Sequence, residues 1–562
     1  MFKQIATNNN FWKKVNQDTA YKPMVDRLFE LYDKYCICDI PATKYSDYKL
    51  YFETGDRLCY EEPYFHKRVR MNTLALLCLI YPENKDYLIN LQNTIWAICD
   101  EYSWVLPAHV KHFPQTEYTT IDLFSAETAF ALSEIKYLLK DKLDDIIKNR
   151  IDYQVEKNVL SVFKENLQAW ESTTNNWASV CAGSVAAAFM YQRPDEFENI
   201  KPRIDSAMKC FLSGYPDDGT CLEGMAYWVY GFGFYIWYAD LLKEFTNGHE
   251  NLFENQKVKR IADFAGKIFL TPDTIASFSD SSQNPKIMVG MLHFLKTVYG
   301  DDICSVPNSA TITDDRCGRW CHHIRSFVYF NKKIANNNFN LNCDYFLKDS
   351  EWYIKRTPSY SFAIKAGNND EPHNHNDIGS FILSKNNKQI LADFGCGAYT
   401  RQYFRPETRY SILCNSSLGH SVPIINGKPQ LAGEKYSGIM NVTNGTITVD
   451  MTNAYGQDEL LKLERTICSN DNGIKLTDYF EFKNDGTYVC RLVSYIKPMP
   501  EDNKVILDCA NIFYDCRNFD VLIKNDKHFI HDSDKSCDVY LIDFVPKNKI
   551  NKIELDIIIN NH

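Results

Sequence analysis

The chain has 562 residues, too many for one hydrophobic core, so two or three domains are expected. Its formal net charge of −10 excludes a global basic field that would draw it to nucleic acid or an anionic membrane, so a polyanionic substrate would need a local cluster to hold it. The 14% aromatic content suits sugar-stacking surfaces as well as aromatic-rich cores. The 19 cysteines are scattered without a C-x-x-C pair and read as reduced, mostly core residues. The opening MFKQIATNNNFWKKVNQD lacks the apolar core of a signal peptide, and no apolar run of about 18 residues occurs. A cytoplasmic location without a membrane span is therefore expected, or a periplasmic or secreted one if the sequence begins downstream of a leader.

From about residue 10 to 300, apolar residues recur at helical spacing: 71–81, 87–98, 121–139, 177–191, 204–212, 225–242 and 258–268. Short loops rich in Pro, Asn, Asp and Gly separate them, which predicts helical hairpins in a bundle, solenoid or closed toroid. No repeat of fixed period is visible, against an open solenoid. After Pro307, and from Cys317 onward, runs rich in β-branched and aromatic residues take over: 361–365, 439–451, 461–468, 473–482, 487–496, 504–514 and 539–544. Turn signals such as Asn426-Gly427, Asn444-Gly445, Asn472-Gly473 and Asp485-Gly486 lie between them and predict a stacked β-sandwich. The expected class is α+β multidomain, with a helical domain over 1–310 and a β domain over 311–562.

Several stretches carry chemistry. WVLPAH (104–109) is a loop with an aromatic and His109, and TTNNW (173–177) precedes a helix with small first turns. DDGTCLE (217–223) leads into GMAYWVYGFGFYIWY, where Tyr227 and Tyr230, three apart, are expected on one helix face. Such a stripe is more often core than site. Gly231 and Gly233 would each cost a helix about 1 kcal/mol against Ala, which hints at a close approach or a bend. The central stretch is EPHNHNDIGSFILSKNNKQILADFG (371–395), a β-hairpin about Asn386-Asn387 with His373 to Asp377 at its open end. Ungapped pairing sets Asp393 opposite Ser380, and in an extended strand His373 and His375 would point the same way. The segment 399–409 interleaves Arg401, Arg405 and Arg409 with tyrosines, a surface suited to sugar carboxylates, and His420 precedes a short strand in GHSVPIINGKPQ.

In combination and in this order over roughly residues 90–430, WVLPAH, TTNNW, DGTCLEGMAYWVYG, HNHNDIGSFIL with ILADFG, and GHSVPIINGKPQ resemble the heparinase II/III family of polysaccharide lyases. The resemblance implies an incomplete (α/α) toroid followed by an antiparallel β-sandwich, and β-elimination at a uronic acid. There a base removes the C5 proton while hydrogen-bond donors neutralise the carboxylate as enolate charge develops. Carried over by motif, Asn176 neutralises the carboxylate, with Asn175 the less favoured choice. The motif tyrosine is Tyr230, with Tyr227 its rival, and His373 faces them from the β domain. Some members have a His beside the Asn motif where this chain has only Asn, which leaves the base between Tyr230 and His373. Asn175, His109, Tyr227, Glu223, Arg401, Arg405 and Arg409 are the expected substrate contacts. The family's structural zinc would fall on His375, Asp393 and His420, with a water as fourth ligand, and no organic cofactor is implied. A kinked HNHND loop would reconcile the separate tasks of His373 and His375. The expected partner is an acidic polysaccharide or oligosaccharide. Competing readings are a non-catalytic acidic-glycan-binding or polysaccharide-biosynthesis-associated protein, and a glycoside hydrolase using Asp217, Asp218 and Glu223.

Overall fold

Burial separates two kinds of helix in the N-terminal part. In the computed structural model, which describes residues 1–110, 118–285, 287–307, 316–334, 339–400, 402–530 and 535–560, one kind is buried over most of its length. These helices are Leu58–Ile80, Leu123–Leu138, Asn176–Gln192, Gly233–Phe245 and Trp320–Val328. Helices without a solvent face belong inside. They pack in succession around a ring, which Trp320–Val328 closes against Leu58–Ile80. Half-exposed helices pack outside: Lys85–Cys99 on Leu58–Ile80, Asp145–Val155 on Leu123–Leu138, and Phe197–Ser213 on Asn176–Gln192. The result is an (α/α) toroid of helical hairpins.

The closing helix is the main departure from the sequence reading, which has strands from Cys317 onward. WCHHIRSFV has the aromatic and β-branched composition of a strand, yet the ring overrides that propensity. One buried carboxylate pins it: Glu134 accepts from Trp320 Nε1 at 2.9 Å, from Arg325 at 3.0 and 2.9 Å, and from the Tyr191 hydroxyl at 2.9 Å. The helices of the toroid therefore run to Val328, past residue 310, and among the described residues the first strand begins at Cys343.

The C-terminal part forms antiparallel sheets of five, nine and four strands. Inward faces of all three share one apolar core, including Phe362, Leu383, Leu463, Leu476, Leu492 and Leu555, as a β-sandwich requires. The predicted run 439–451 divides at Asn444-Gly445 into Gly433–Thr443 and Thr446–Asp450, and 504–514 divides into Lys504–Leu507 and Ala510–Phe513. The hairpin of the central stretch is present as Phe381–Lys385 and Lys388–Leu391, with Asn386 and Asn387 at φ 51° and 59°. Its pairing is not ungapped: Ser384 opposes Gln389 but Leu383 opposes Leu391, so one residue bulges. Beyond Leu391 the chain leaves its partner, and Ala392 N–H bonds the Val493 carbonyl. Asp393 is thus carried away from the position opposite Ser380.

The two parts meet along the segment 275–283. Gln389 Nε2 donates to the Ile275 carbonyl at 2.9 Å, and Cys396 N–H donates to the Ser281 carbonyl at 3.2 Å. Asp218 adds a second tie by accepting from the Asp349 and Ser350 N–H groups at 2.9 Å.

Removing Glu134 leaves Arg325 charged and unpaired in the ring. Glu134→Ala is expected to cost about 3–5 kcal/mol in urea unfolding followed by circular dichroism. Asp485→Ala, which breaks an exposed pair with Lys549, is expected to cost about 0.5 kcal/mol or less. Equal losses would contradict a ring closed by this ion pair.

Candidate active site and metal centre

The site is built around Asp280, a fully buried residue that sequence reasoning missed. Ser279 takes a positive φ of 62°, and the turn aims Asp280 at the β domain while Ser281 Oγ accepts from Met225 N–H at 2.9 Å. One segment therefore presents the carboxylate and anchors the start of the tyrosine-bearing helix. Asp280 Oδ2 accepts from His373 Nδ1 at 2.8 Å and from the Tyr399 hydroxyl at 3.3 Å. Oδ1 accepts from His375 Nε2 at 3.1 Å and from the Tyr403 hydroxyl, with Arg409 Nη2 at 3.5 Å. Burial alone would raise its pKa, but the histidine hydrogen bonds and the Arg409 charge hold it well below the ordinary carboxylate range. The only signal in the sequence was a single acid in the Ser-rich stretch SFSDSS, which is also how an ordinary loop looks.

HNHND is a kinked loop, as the sequence reading expected, and not an extended strand. His373 adopts a positive φ of 56°, and both rings reach the same carboxylate through different nitrogens. With Nδ1 engaged, His373 Nε2 lies 3.7 Å from Glu223 Oε2, a buried oxygen without a hydrogen-bond partner. Burial, only partly offset by His373, pushes the Glu223 carboxyl up to about 7, and the backbone N–H of Asn176 is directed at the same group. Glu223 thus joins Asn176 from the toroid to His373 from the β domain. The Asn176 side chain makes no hydrogen bond among the described residues. Its neighbour Asn175 is committed to capping the helix, its side chain accepting from Trp177 N–H at 3.1 Å.

The two tyrosines do not share a face. Residues Trp228–Phe232 form a π-turn, whose i→i+5 bonds hold more residues per turn than an α-helix and rotate Tyr230 away from Tyr227. The glycines permit it: a Cβ on Gly231 would lie 3.0 Å from Asn176 Cβ, and one on Gly233 would strike the His322 ring. Tyr227 stacks on His373 with ring centres 4.2 Å apart, and its hydroxyl lies 3.0 Å from that of Tyr399. Tyr230 instead donates to Glu127 Oε1 at 2.5 Å under the Arg319 guanidinium. Burial first, and then Asp280 for Tyr227 and Glu127 for Tyr230, raise both phenol pKa values well above 10.

His375, Asp393 and His420 converge, with ligand atoms all within 4.8 Å of one another. His375 Nδ1 is buried without a hydrogen-bond partner, and Asp393 Oδ2 and His420 Nδ1, equally buried, face each other at 3.2 Å, an arrangement of three donor atoms that fits a cation. The outer atoms are satisfied: His375 Nε2 by Asp280, His420 Nε2 by the Cys414 carbonyl at 2.8 Å, and Asp393 Oδ1 by Gly395 N–H at 2.8 Å. Outer hydrogen bonds of this kind orient metal-ligating histidines.

Other expected residues sit differently. His109 bonds Asp122 Oδ2 at 2.7 Å and meets Trp177 edge-on at 4.8 Å. Arg409 turns inward to the carbonyls of Asn374 and Tyr403 as well as to Asp280, so its guanidinium holds the loop. Arg405 is exposed, and Arg401 lies outside the described residues. Phe404, not singled out from the sequence, is 47% exposed and edge-on to His373 at 6.4 Å. Asp218 is spent on Ser350 and Asp349, and Asp217 is exposed beside Lys257, which removes the carboxylate pair a hydrolytic reading needs.

The raised pKa of Glu223 has a stability consequence. With a folded value of about 7 above the ordinary 4.5, its favourable contribution is complete below pH 4.5 and is lost as pH rises through 7. Glu223→Gln, which cannot ionise, should match the wild type near pH 4 and gain on it toward pH 8. The gain in urea unfolding is at most on the order of 3 kcal/mol. A difference independent of pH would contradict the burial of this carboxyl.

Residues 341–512 match the family model described as Heparinase II/III-like, C-terminal. No curated protein matches the chain. Among solved structures, heparinase III is similar at TM-score 0.64 and 13% identity, over 90% of this chain and 78% of that one. A heparan sulfate lyase from Pedobacter heparinus is similar at TM-score 0.59 and 12% identity, over 100% and 88%. A chondroitin AC lyase from Streptomyces coelicolor A3 is similar at 0.58 and 10%, over 100% and 83%. The region 341–512 is thus similar to heparinase II/III-like C-terminal domains, and the chain has the toroid-plus-β-sandwich fold seen in the heparinase and chondroitin lyases.

Proposed function

We propose that the protein is a lyase that cleaves uronic-acid-containing glycans, heparan-like or alginate-like, by β-elimination and leaves a 4,5-unsaturated uronate. One observation carries this reading: Glu223, at the seam of the two domains, brings together the unbonded Asn176 amide and the Asp280-held imidazole of His373, on which Tyr227 stacks. The Asn176 amide and the protonated form of Glu223 donate to the substrate carboxylate as enolate charge grows at C5. His373 Nε2 takes the C5 proton, the electrons form the C4–C5 double bond, and the C4–O bond breaks. Tyr227, whose phenol keeps its proton at neutral pH, gives it to the departing oxygen, and Tyr399 beside it can resupply it. Phe404 offers an exposed ring for a neighbouring sugar, and Arg405 an exposed cation for its acidic groups.

Tyr227 takes the role that the motif assigned to Tyr230, because its partners lie in the His373 cluster while those of Tyr230 are Glu127 and Arg319. Two histidines and an aspartate suit zinc, so we place zinc at His375, Asp393 and His420. Bound there, it would hold the HNHND loop to the sandwich and supply no chemistry to the substrate. Protein purified without chelator and found free of zinc would overturn that assignment.

The test is near-ultraviolet absorbance from the new double bond on a panel of acidic polysaccharides and their oligosaccharides. Absorbance should rise on at least one. Tyr227→Phe should then lose about 100-fold or more in kcat with melting temperature nearly unchanged, while Tyr230→Phe loses far less. The reverse order would return the role to Tyr230. Binding without any absorbance change would favour the non-catalytic glycan-binding reading.

A further inference from the structure

We propose that Asp280 is a shared positioning residue that fixes the ring orientation and tautomer of both His373 and His375, so that metal loading and the readiness of His373 are coupled. Around this carboxylate stand the His373 and His375 rings, the Tyr399 and Tyr403 hydroxyls, and the Arg409 guanidinium. A buried carboxylate accepts hydrogen bonds only, so it requires a proton on His373 Nδ1 and another on His375 Nε2. The consequences run in two directions. His373 is left with the Nε2 lone pair facing Glu223, and His375 is left with the Nδ1 lone pair facing Asp393 and His420. Both are the forms needed, one for accepting a proton and one for ligating a cation.

The coupling is mechanical rather than chemical. The rings lie two positions apart on one loop and share one acceptor, so a cation that holds His375 also holds Asp280, and Asp280 holds His373. Asp280 comes from the helical domain, whereas both histidines and the other candidate ligands come from the β domain. The carboxylate therefore also sets where the β loop sits over Asn176 and Tyr227. The catalytic half of this inference rests on the β-elimination reading; the tautomer and metal half does not.

Asp280→Asn is the direct test. A carboxamide offers one acceptor oxygen and an NH₂ donor, so it cannot accept from both rings; one of them must change tautomer or turn away, and the coupling carries that change to the other. Long-range ¹H–¹⁵N spectra of labelled protein, with His373 signals identified by their absence in His373→Gln, report the tautomer directly. Wild type should show His373 protonated at Nδ1. In Asp280→Asn that signature should be lost, and zinc retained after desalting should fall at least tenfold. On a turned-over substrate, kcat should fall about 10- to 100-fold, with KM within about threefold. Tyr403→Phe removes a different donor from the same carboxylate and should keep both the His373 signature and the zinc.

Asp280→Asn that folds with wild-type zinc content, or with the His373 tautomer unchanged, overturns the proposal. Should that variant not fold, wild type decides: stripping its metal with chelator must shift the His373 ring signals, and unshifted signals overturn the coupling. Absence of turnover on every glycan would count against the lyase reading alone, because the spectra and the metal content need no substrate.

Discussion

A single buried anion organises this molecule's functional end. Asp280 has no solvent, and an isolated carboxylate in that position would be costly enough to bind a proton instead. It stays ionised because the groups around it are donors, drawn from HNHND and from the Tyr399–Arg409 segment. The constraint works both ways. The β-domain loops can settle only where they satisfy the carboxylate, and the turn that carries it can hold its shape only when they do. The junction between toroid and sandwich is therefore a specified geometry, of the kind a reacting constellation needs.

Irregular backbone gathers at the same place. Ser279 and His373 hold positive φ, and the helix bearing Tyr227 and Tyr230 is widened by a π-turn next to Asn176. Each feature costs energy by itself, and such costs persist where the surroundings enforce them and function uses them. The toroid explains how enforcement arises. Asn176 opens one inner helix and Tyr227 lies just ahead of another, so both inherit the rigidity of helices packed on every side. Tyr230, within the π-turn, falls to Glu127 and Arg319 and leaves the His373 cluster.

Much of this was legible in the residues, and what was not has physical causes. Helices with a solvent face, and strands bounded by Asn-Gly turns, announce themselves by period, and the Asn386-Asn387 hairpin by the tolerance of Asn for positive φ. Trp320–Val328 was missed although Trp320, Cys321, Ile324, Phe327 and Val328 recur at helical spacing, because the segment is short and its aromatic and β-branched residues also suit a strand. The bulge that redirects Asp393, and the π-turn that separates the tyrosines, depend on neighbours remote in sequence. His375, Asp393 and His420 were found through motif order, and the structure brings their ligand atoms together, fully buried, within 4.8 Å of one another. Asp280 was invisible for a simpler reason: its meaning lies wholly in partners about 100 residues away.

The most direct test of the account is a crystal structure of Tyr227→Phe with an acidic oligosaccharide that the wild type turns over. The account predicts a uronate at the seam, its carboxylate hydrogen-bonded to the Asn176 amide and Glu223, and its C5 facing His373 Nε2. A glycan seated instead on Tyr230, Glu127 and Arg319, or one whose C5 faces away from His373, would contradict it.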